Sequence, residues 1–327
     1  MEAKEVLVIV LVFLFCISGS ALAGEPVFGT ALAGMGGAGV ALTKDVYAAY
    51  WNPAGLARIN KFSIAPNLAF FTDNPSQLTK WTDYFQGGDQ PGEGLKAAAG
   101  GIVGFATPRF AINMLGKAAL DASPAEGEPG RAEALVIYNS KISMAAPIPL
   151  GSRTLALGGT LNYFSGHEYT AGLPEEGTSV DLFSQQVYSG QGQSLDLGAQ
   201  FDLTDSLWLG ITAWNVLGNF QWDESHSLVS LQSTEPRFQA GLAWDRPSFR
   251  AAFDWEWDQK KLRRYHLGLA KDFWKLFTIR VGGIIEPEKE LVYTGGFSLR
   301  LGAFSVNFAA NYQEPAWSGT VSMAINM

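Results

Sequence analysis

The chain has 327 residues, 47% of them hydrophobic and only 17% charged, with 37 Gly, 10 Trp, 10 Tyr and 21 Phe. Disordered chains are less apolar, and soluble domains carry about 25% charged residues and about 7% Gly, so this composition suits a glycine-punctuated β protein. A net charge of −8 and a pI near 5.0 argue against a nucleic-acid binder, which needs a basic face to displace counterions from phosphates.

Residues 1–23 read as a secretory signal peptide. Val6 to Ile17 is an unbroken apolar run, followed by Ser18, Gly19, Ser20 and then Ala21-Leu22-Ala23. Such a run ending in A-x-A is too short for a permanent membrane helix, and cleavage after Ala23 is expected. The start departs from the usual pattern, because Glu2 and Glu5 outnumber Lys4. Cys16, the only cysteine, falls inside this segment, so the exported chain is expected to carry neither thiol nor disulfide.

Residues 24–60 are Gly/Ala-rich and then read TKDVYAAYWNPAGLARIN. Thr43 is placed to cap a short helix running through Tyr50, and Pro53 bars its continuation. Gly34, Gly36 and Gly39 spell G-x-G-x-x-G, the dinucleotide fingerprint. They lack a preceding strand, a βαβ setting and an acidic residue about 20 positions on, so flexible backbone is the better reading.

From Lys61 onward the chain alternates. In SLDLGAQFDLT, Leu195, Leu197, Ala199, Phe201 and Leu203 share one face and Ser194, Asp196, Gln200, Asp202 and Thr204 the other; in FRAAFDWEWD, Phe249, Ala251, Phe253, Trp255 and Trp257 oppose Arg250, Asp254, Glu256 and Asp258. A period of two is a strand facing two media. Strands are predicted at 61–71, 98–107, 109–121, 132–146, 153–168, 191–204, 206–222, 235–245, 248–259, 262–273, 276–286, 289–302, 304–315 and 316–327. The fold class is therefore an all-β transmembrane antiparallel barrel of about 14 strands over residues 61–327.

Two features separate this reading from a soluble sandwich. Aromatics sit near the ends of the apolar faces: Trp244, Phe249, Phe273, Phe277 and Phe304 on one side, Trp257, Tyr312 and Trp317 on the other. The connections also alternate. Those at 72–97, 122–131, 169–190 and 223–234 are long, whereas Pro108, Ile148 to Ser152, Asp205, Arg246-Pro247, Trp274-Lys275 and Ala303 mark tight turns. If the first strand rises from the periplasm, long loops lie outside and tight turns inside. Closure is required because an open strand edge in lipid has no water to satisfy it.

Eight strands nearly fill with side chains and sixteen leave an aqueous channel, so a barrel of this width needs a stopper. Residues 24–60 are the candidate. Within the lumen, Asp254, Glu256 and Asp258 form a carboxylate row expected to pair with Arg237, Arg250, Arg264, Arg280 or Arg300; the alternative is a cation site or polar permeation path. His167, His226 and His266 are far apart and none has a neighbour at ligand spacing, so no metal and no cofactor is expected. There is no G-x-S-x-G, and Ser165-Gly166-His167 reads as a strand end, so an enzyme is not expected.

GMGGAGVALTKDVYAAYWNPAGLARI, Gly34 to Ile59, resembles the start of the FadL/TodX-type outer-membrane transporters and of the related PorV/PorQ-type barrels. In those families a Gly-rich stretch, a short helical stretch and an Asn-Pro-Ala-Gly turn precede the barrel; here the turn is Asn52-Pro53-Ala54-Gly55. The resemblance implies a monomeric barrel with an N-terminal hatch that passes hydrophobic molecules, such as long-chain fatty acids or hydrocarbons, across the outer membrane. Its partners would be the bilayer and lipopolysaccharide, the barrel-assembly machinery and a hydrophobic ligand, with no nucleic acid. Two departures stand out: the chain is short for a full transporter, and it ends in Met327 where many such barrels end in an aromatic. A PorV-type adaptor in protein secretion and a general diffusion porin are the alternative functions.

Overall fold

The computed structural model describes residues 27–124, 130–173, 186–222, 235–258, 263–274, 276–287, 289 and 291–327. The expected signal peptide, His226 and Lys275 lie outside these residues. A short helix α1 (Thr30–Ala33), a second, α2 (Ala48–Trp51), and a 3-10 helix (Pro53–Arg58) precede strand β1 (Ser63–Thr72). Helix α3 (Pro75–Phe85) follows. The remaining strands are β2 (Leu95–Thr107), β3 (Phe110–Ser123), β4 (Gly130–Leu150), β5 (Arg153–Leu173), β6 (Gln186–Asp202), β7 (Leu207–Trp222), β8 (Arg237–Arg246), β9 (Phe249–Asp258), β10 (Arg263–Phe273), β11 (Phe277–Ile285), β12 (Val292–Leu301), β13 (Phe304–Gln313) and β14 (Ala316–Asn326).

Each strand pairs antiparallel with its neighbours in sequence, and β1 pairs with β14, which closes a 14-stranded barrel. Alternation sets the two faces. Phe253, Trp255, Leu267, Leu269, Ile279, Val281 and Phe297 are exposed on the outside, whereas Asp254, Glu256, His266, Thr278, Arg280 and Ser298 are buried within. No helix among the described residues is long and apolar enough to cross a membrane; the crossing belongs to the strands, whose outward apolar band is that of a membrane barrel. The aromatic rims are formed by contact: Trp244 meets Phe249 and Phe273 meets Phe277 at one end, and Tyr312 meets Trp317 at the other. Arg109, Gly151, Trp274 and Gly302 take positive φ in the tight turns.

The wall is uneven. Strands β8 to β14 and β1 have 9 to 11 residues, the length that crosses a bilayer. β4 and β5 have 21 each, β6 17 and β7 16. β7 pairs with β6 through Trp222 but with β8 only from Leu207 to Trp214, so the wall steps down at that seam. Asn215 takes φ 55 at the step, and its N–H donates to Asp196 Oδ1 at 2.9 Å.

Three expectations change. β4 runs past residue 146 through Pro147 and Pro149, because its pairing with β3 ends at Met144 and the missing N–H groups fall where no partner strand follows. The 72–97 connection contains α3, opened by Asn74, whose Oδ1 accepts from Ser76 N, and by Pro75 at the first turn. Trp81 and Tyr84 of α3 pack on Leu95, Ala97, Ala122, Ala132, Ala171 and Leu173, on the side of the wall that faces away from the lumen. Thr43 is not a helix cap: its hydroxyl donates to Gly39 O and Val40 O, and the helix begins at Ala48 after an Asp45 turn. Pro53 ends that helix and opens the 3-10 turn that follows.

Candidate functional site

Residues 27–60 are almost entirely buried against the inward face of the wall. Most of this segment lacks regular structure, so its N–H and C=O groups need partners from elsewhere. The wall supplies them strand by strand. Asn67 Oδ1 on β1 accepts from Gly29 N at 2.9 Å. Gln200 on β6 donates to Val40 O at 2.8 Å and Thr43 O at 3.1 Å, and Trp214 on β7 donates to Tyr50 O at 3.0 Å. Gln239 on β8 donates to Gly37 O, His266 Nδ1 on β10 lies 2.7 Å from Gly36 O, and Thr294 on β12 donates to Gly34 O. The inward polar face therefore reads as a hydrogen-bonding template for an irregular chain.

The Asn52-Pro53-Ala54-Gly55 turn sits at the centre of this template. Asn52 is fully buried; its Nδ2 donates to Val40 O at 2.8 Å, Ala199 O at 3.1 Å and Ile211 O at 3.3 Å, and its Oδ1 accepts from Ala54 N. A single side chain thus ties the turn to β6, to β7 and to the glycine-rich stretch. The wall yields space for it. A Cβ on Gly198 would lie 2.0 Å from Asn52 Oδ1, and one on Gly158 would lie 2.4 Å from the Pro53 carbonyl carbon. Gly36 and Gly37, at φ 68 and 75, are buried and seated against β10 and β11. Of the fingerprint glycines, a Cβ on Gly36 would lie 2.8 Å from Gly283 O and one on Gly39 would lie 2.4 Å from Leu32 Cδ2, so they serve close packing rather than the flexible backbone expected from sequence.

Apolar packing concentrates on one side. Phe28, Val46, Tyr47, Trp51 and Leu56 pack with Ala65, Ala69, Ile102, Ala111 and Leu115 of β1, β2 and β3. The Tyr47 hydroxyl donates to Ala65 O and Pro66 O, and burial pushes its phenol upward, so it stays a donor. Charge concentrates opposite. Glu256 faces Arg237 at 3.7 Å, Arg264 at 3.6 Å and His266 Nε2 at 3.2 Å. Arg264 also pairs with Glu286 at 3.0 Å, and Arg250 with Asp272. Arg58 bridges to Asp245 at 3.2 Å with its guanidinium 3.6 Å above the Trp208 ring, and Lys44 meets the same carboxylate at 2.5 Å.

The carboxylate row thus divides. Glu256 takes the arginine partners expected of it, and Asp258 stands opposite Arg237 in register. Asp254 does not pair with an arginine: its Oδ2 accepts from Gly39 N at 2.7 Å, Val40 N at 3.0 Å and Gln239 Nε2 at 2.9 Å. Arg280 donates to Ser298 Oγ, and Arg300 is exposed at the turn end of β12, away from the row. Asn67, Gln200, Gln239 and Thr294 escape sequence reasoning. Their signal is an uncharged polar residue at an inward strand position, which alternation marks as wet but cannot assign to a backbone partner.

An apolar hollow of about 830 Å³ lies on the other side of the wall, where Gly101, Gly116, Gly295 and Gly319 leave the sheet thin between Tyr138 and Phe297. Leu68, Tyr138, Ile279, Phe297 and Phe308 line it from the outward face, while Arg280 and Thr320 reach it from the inward face, so the hollow sits where the wall is thinnest.

Fold and site define a closed membrane barrel of 14 strands whose lumen holds its own N-terminal segment. Solved structures of this kind are similar over nearly the whole chain. CymD, a monoaromatic hydrocarbon channel, matches at 15% identity and a TM-score of 0.62, covering 94% of this chain and 98% of its own. The Pseudomonas putida toluene transporter TodX matches at 12% identity and 0.61, covering 92% and 98%. A Pseudomonas aeruginosa FadL homologue matches at 11% identity and 0.52, covering 94% and 99%. At these identities the likeness is one of fold. No protein-family model matches the chain, and no curated protein sequence does.

Proposed function

We propose that this chain is an outer-membrane channel, not an enzyme, that passes hydrophobic small molecules of the fatty-acid or hydrocarbon class. Residues 1–23 act as a cleaved signal, and the barrel folds as a monomer into the bilayer through the barrel-assembly machinery. Residues 24–60 act as the hatch, with Asn52-Pro53-Ala54-Gly55 as the turn whose shift opens the way. The observation that carries this reading is the seating of residues 27–60 across the lumen, with Asn52 clamped between β6, β7 and Val40. The fold shared with a monoaromatic hydrocarbon channel and a toluene transporter supports it.

The physics favours an oily cargo. A greasy solute crosses the polar surface layer poorly, and removing its apolar area from water is worth about 25 cal/mol per Å². The packing of Phe28, Tyr50 and Trp51, with ring centroids 5.5 to 5.9 Å apart, offers such a surface once the segment shifts. Substituting Asn52, or deleting residues 24–57, should change uptake of radiolabelled toluene or oleate by cells while the barrel keeps its heat-modifiable mobility on gels. Uptake equal to that of the parent in both variants would overturn this function.

A further inference from the structure

The charged inner strip of β8 to β11 suits water rather than oil, and it is interrupted at one level. Above that level, the partly exposed Arg237 and Arg264 stand with Glu256 and Glu286. Below it stand Lys44, Arg58, Asp245, Arg250 and Asp272, all with solvent access. Five residues of β9 lie between Glu256 and Arg250, a span of about 20 Å along the strand. Two thin layers close this interval. In one, Gly36 to Val40 rest on Gln239, Asp254 and His266. In the other, Met35, Ala38, Ala41 and Leu42 pack on Ala243, Ala252 and Ala270.

This seal is weaker than the packing on β1 to β3. Apart from Met35, Leu42 and the partly buried Trp208, the apolar layer is built of alanines, whose methyls bury less apolar surface than Phe28, Trp51 and Leu56. In the polar layer Asp254 is the group that holds the Gly39 and Val40 amides; it is fully buried and takes all three of its donors on Oδ2. Its Oδ1 is buried without a hydrogen-bond partner, turned over Gly241, where a Cβ would lie 1.8 Å away. A half-satisfied buried carboxylate fastens the segment yet keeps a desolvation cost that water entry would relieve.

We propose that the barrel conducts small ions along the inner faces of β8 to β11 when residues 34–43 lift off Asp254, a water-filled route separate from the apolar side. Charges of both signs line it, so it passes small cations and anions alike. The route does not depend on the hydrophobic cargo, so its test can fail or succeed independently of the function above.

The experiment is single-channel recording of the purified barrel in planar phospholipid bilayers in potassium chloride. The parent should stay closed most of the time. D254A should raise the open probability about tenfold or more, and the near-isosteric D254N less, since Asn keeps an acceptor oxygen for Gly39 and Val40 and loses only the charge-assisted strength. Because Cys16 is the only cysteine, Arg264→Cys placed in D254N and treated with a charged methanethiosulfonate should block the current. Folded D254A and D254N barrels that stay closed like the parent would overturn the proposal. So would a parent that is steadily open, or a current unmoved by the thiol reagent.

Discussion

The two halves of the wall solve different problems. From β8 to β14 each strand has only the length needed to cross lipid, and the charge of the inner face lies mostly on β8 to β11. From β4 to β7 the strands run well beyond that length, so their upper part leaves the bilayer and an apolar outer face there would meet water. Helix α3 covers that face over β2 to β5, while large side chains of the N-terminal segment pack on the inner face of β1 to β3. The same alternating code thus has three readers: lipid outside the low wall, a helix outside the tall one, and an irregular chain within both.

The sharpest way to break this contrast is Gly198→Val on β6, because even a Cβ there would lie 2.0 Å from Asn52 Oδ1. The turn should be expelled at a cost of about 3 kcal/mol or more, read as protease cleavage within residues 27–60 and a lowered urea midpoint. Trp81→Ala comes next. It empties the centre of the α3 contact and removes the Nε1 donor to Glu93 O at 2.8 Å, a loss of about 3 kcal/mol by analogy with buried aromatics. The loss should stay local: proteolysis should cut the 73–94 connection while the barrel keeps its mobility on unheated gels.

On the low wall, Arg58→Ala removes the pairing with Asp245 and the stacking on Trp208. The expected cost is about 1–2 kcal/mol, with Lys44 still facing Asp245, and it should appear as a modest drop in urea midpoint that salt reduces in the parent but not in the variant. The smallest effect is at Glu286, just beyond β11. Burial would raise its carboxyl, but Lys289 and Arg264 outweigh this and hold it below its ordinary 4.5. A depressed carboxylate contributes stability above its unfolded pKa and loses it as pH falls through the folded value. Protection of the β11–β12 turn in hydrogen exchange should therefore fade on acidification below about 4.5 in the parent, and E286Q should flatten that dependence. An unchanged profile in E286Q would remove Glu286 from the account.

Most of the barrel was legible in the order of residues, because a strand between lipid and a wet interior must alternate at period two whatever surrounds it. Leu267 and Leu269 against His266 and Asp254 suffice to place β9 and β10. Boundaries blurred where local rules conflicted with context: the strand expected to stop at residue 146 runs on through Pro147 and Pro149, which cost no ladder bond where β3 has already ended. Helix α3 hid inside a long connection although Asn74-Pro75 and the spacing of Leu78, Trp81 and Phe85 mark a capped amphipathic turn.

What the sequence determined by itself was the sign of each position, apolar toward one medium and polar toward the other, since that depends only on neighbours along the strand. What the polar positions bind was decided by the tertiary structure. Asp254 was expected to meet an arginine and instead holds the amides of Gly39 and Val40 from 215 and 214 residues away. Hydrogen-bond partners across a closed barrel are fixed by register, shape and the path of the enclosed segment, and none of these is local in the chain.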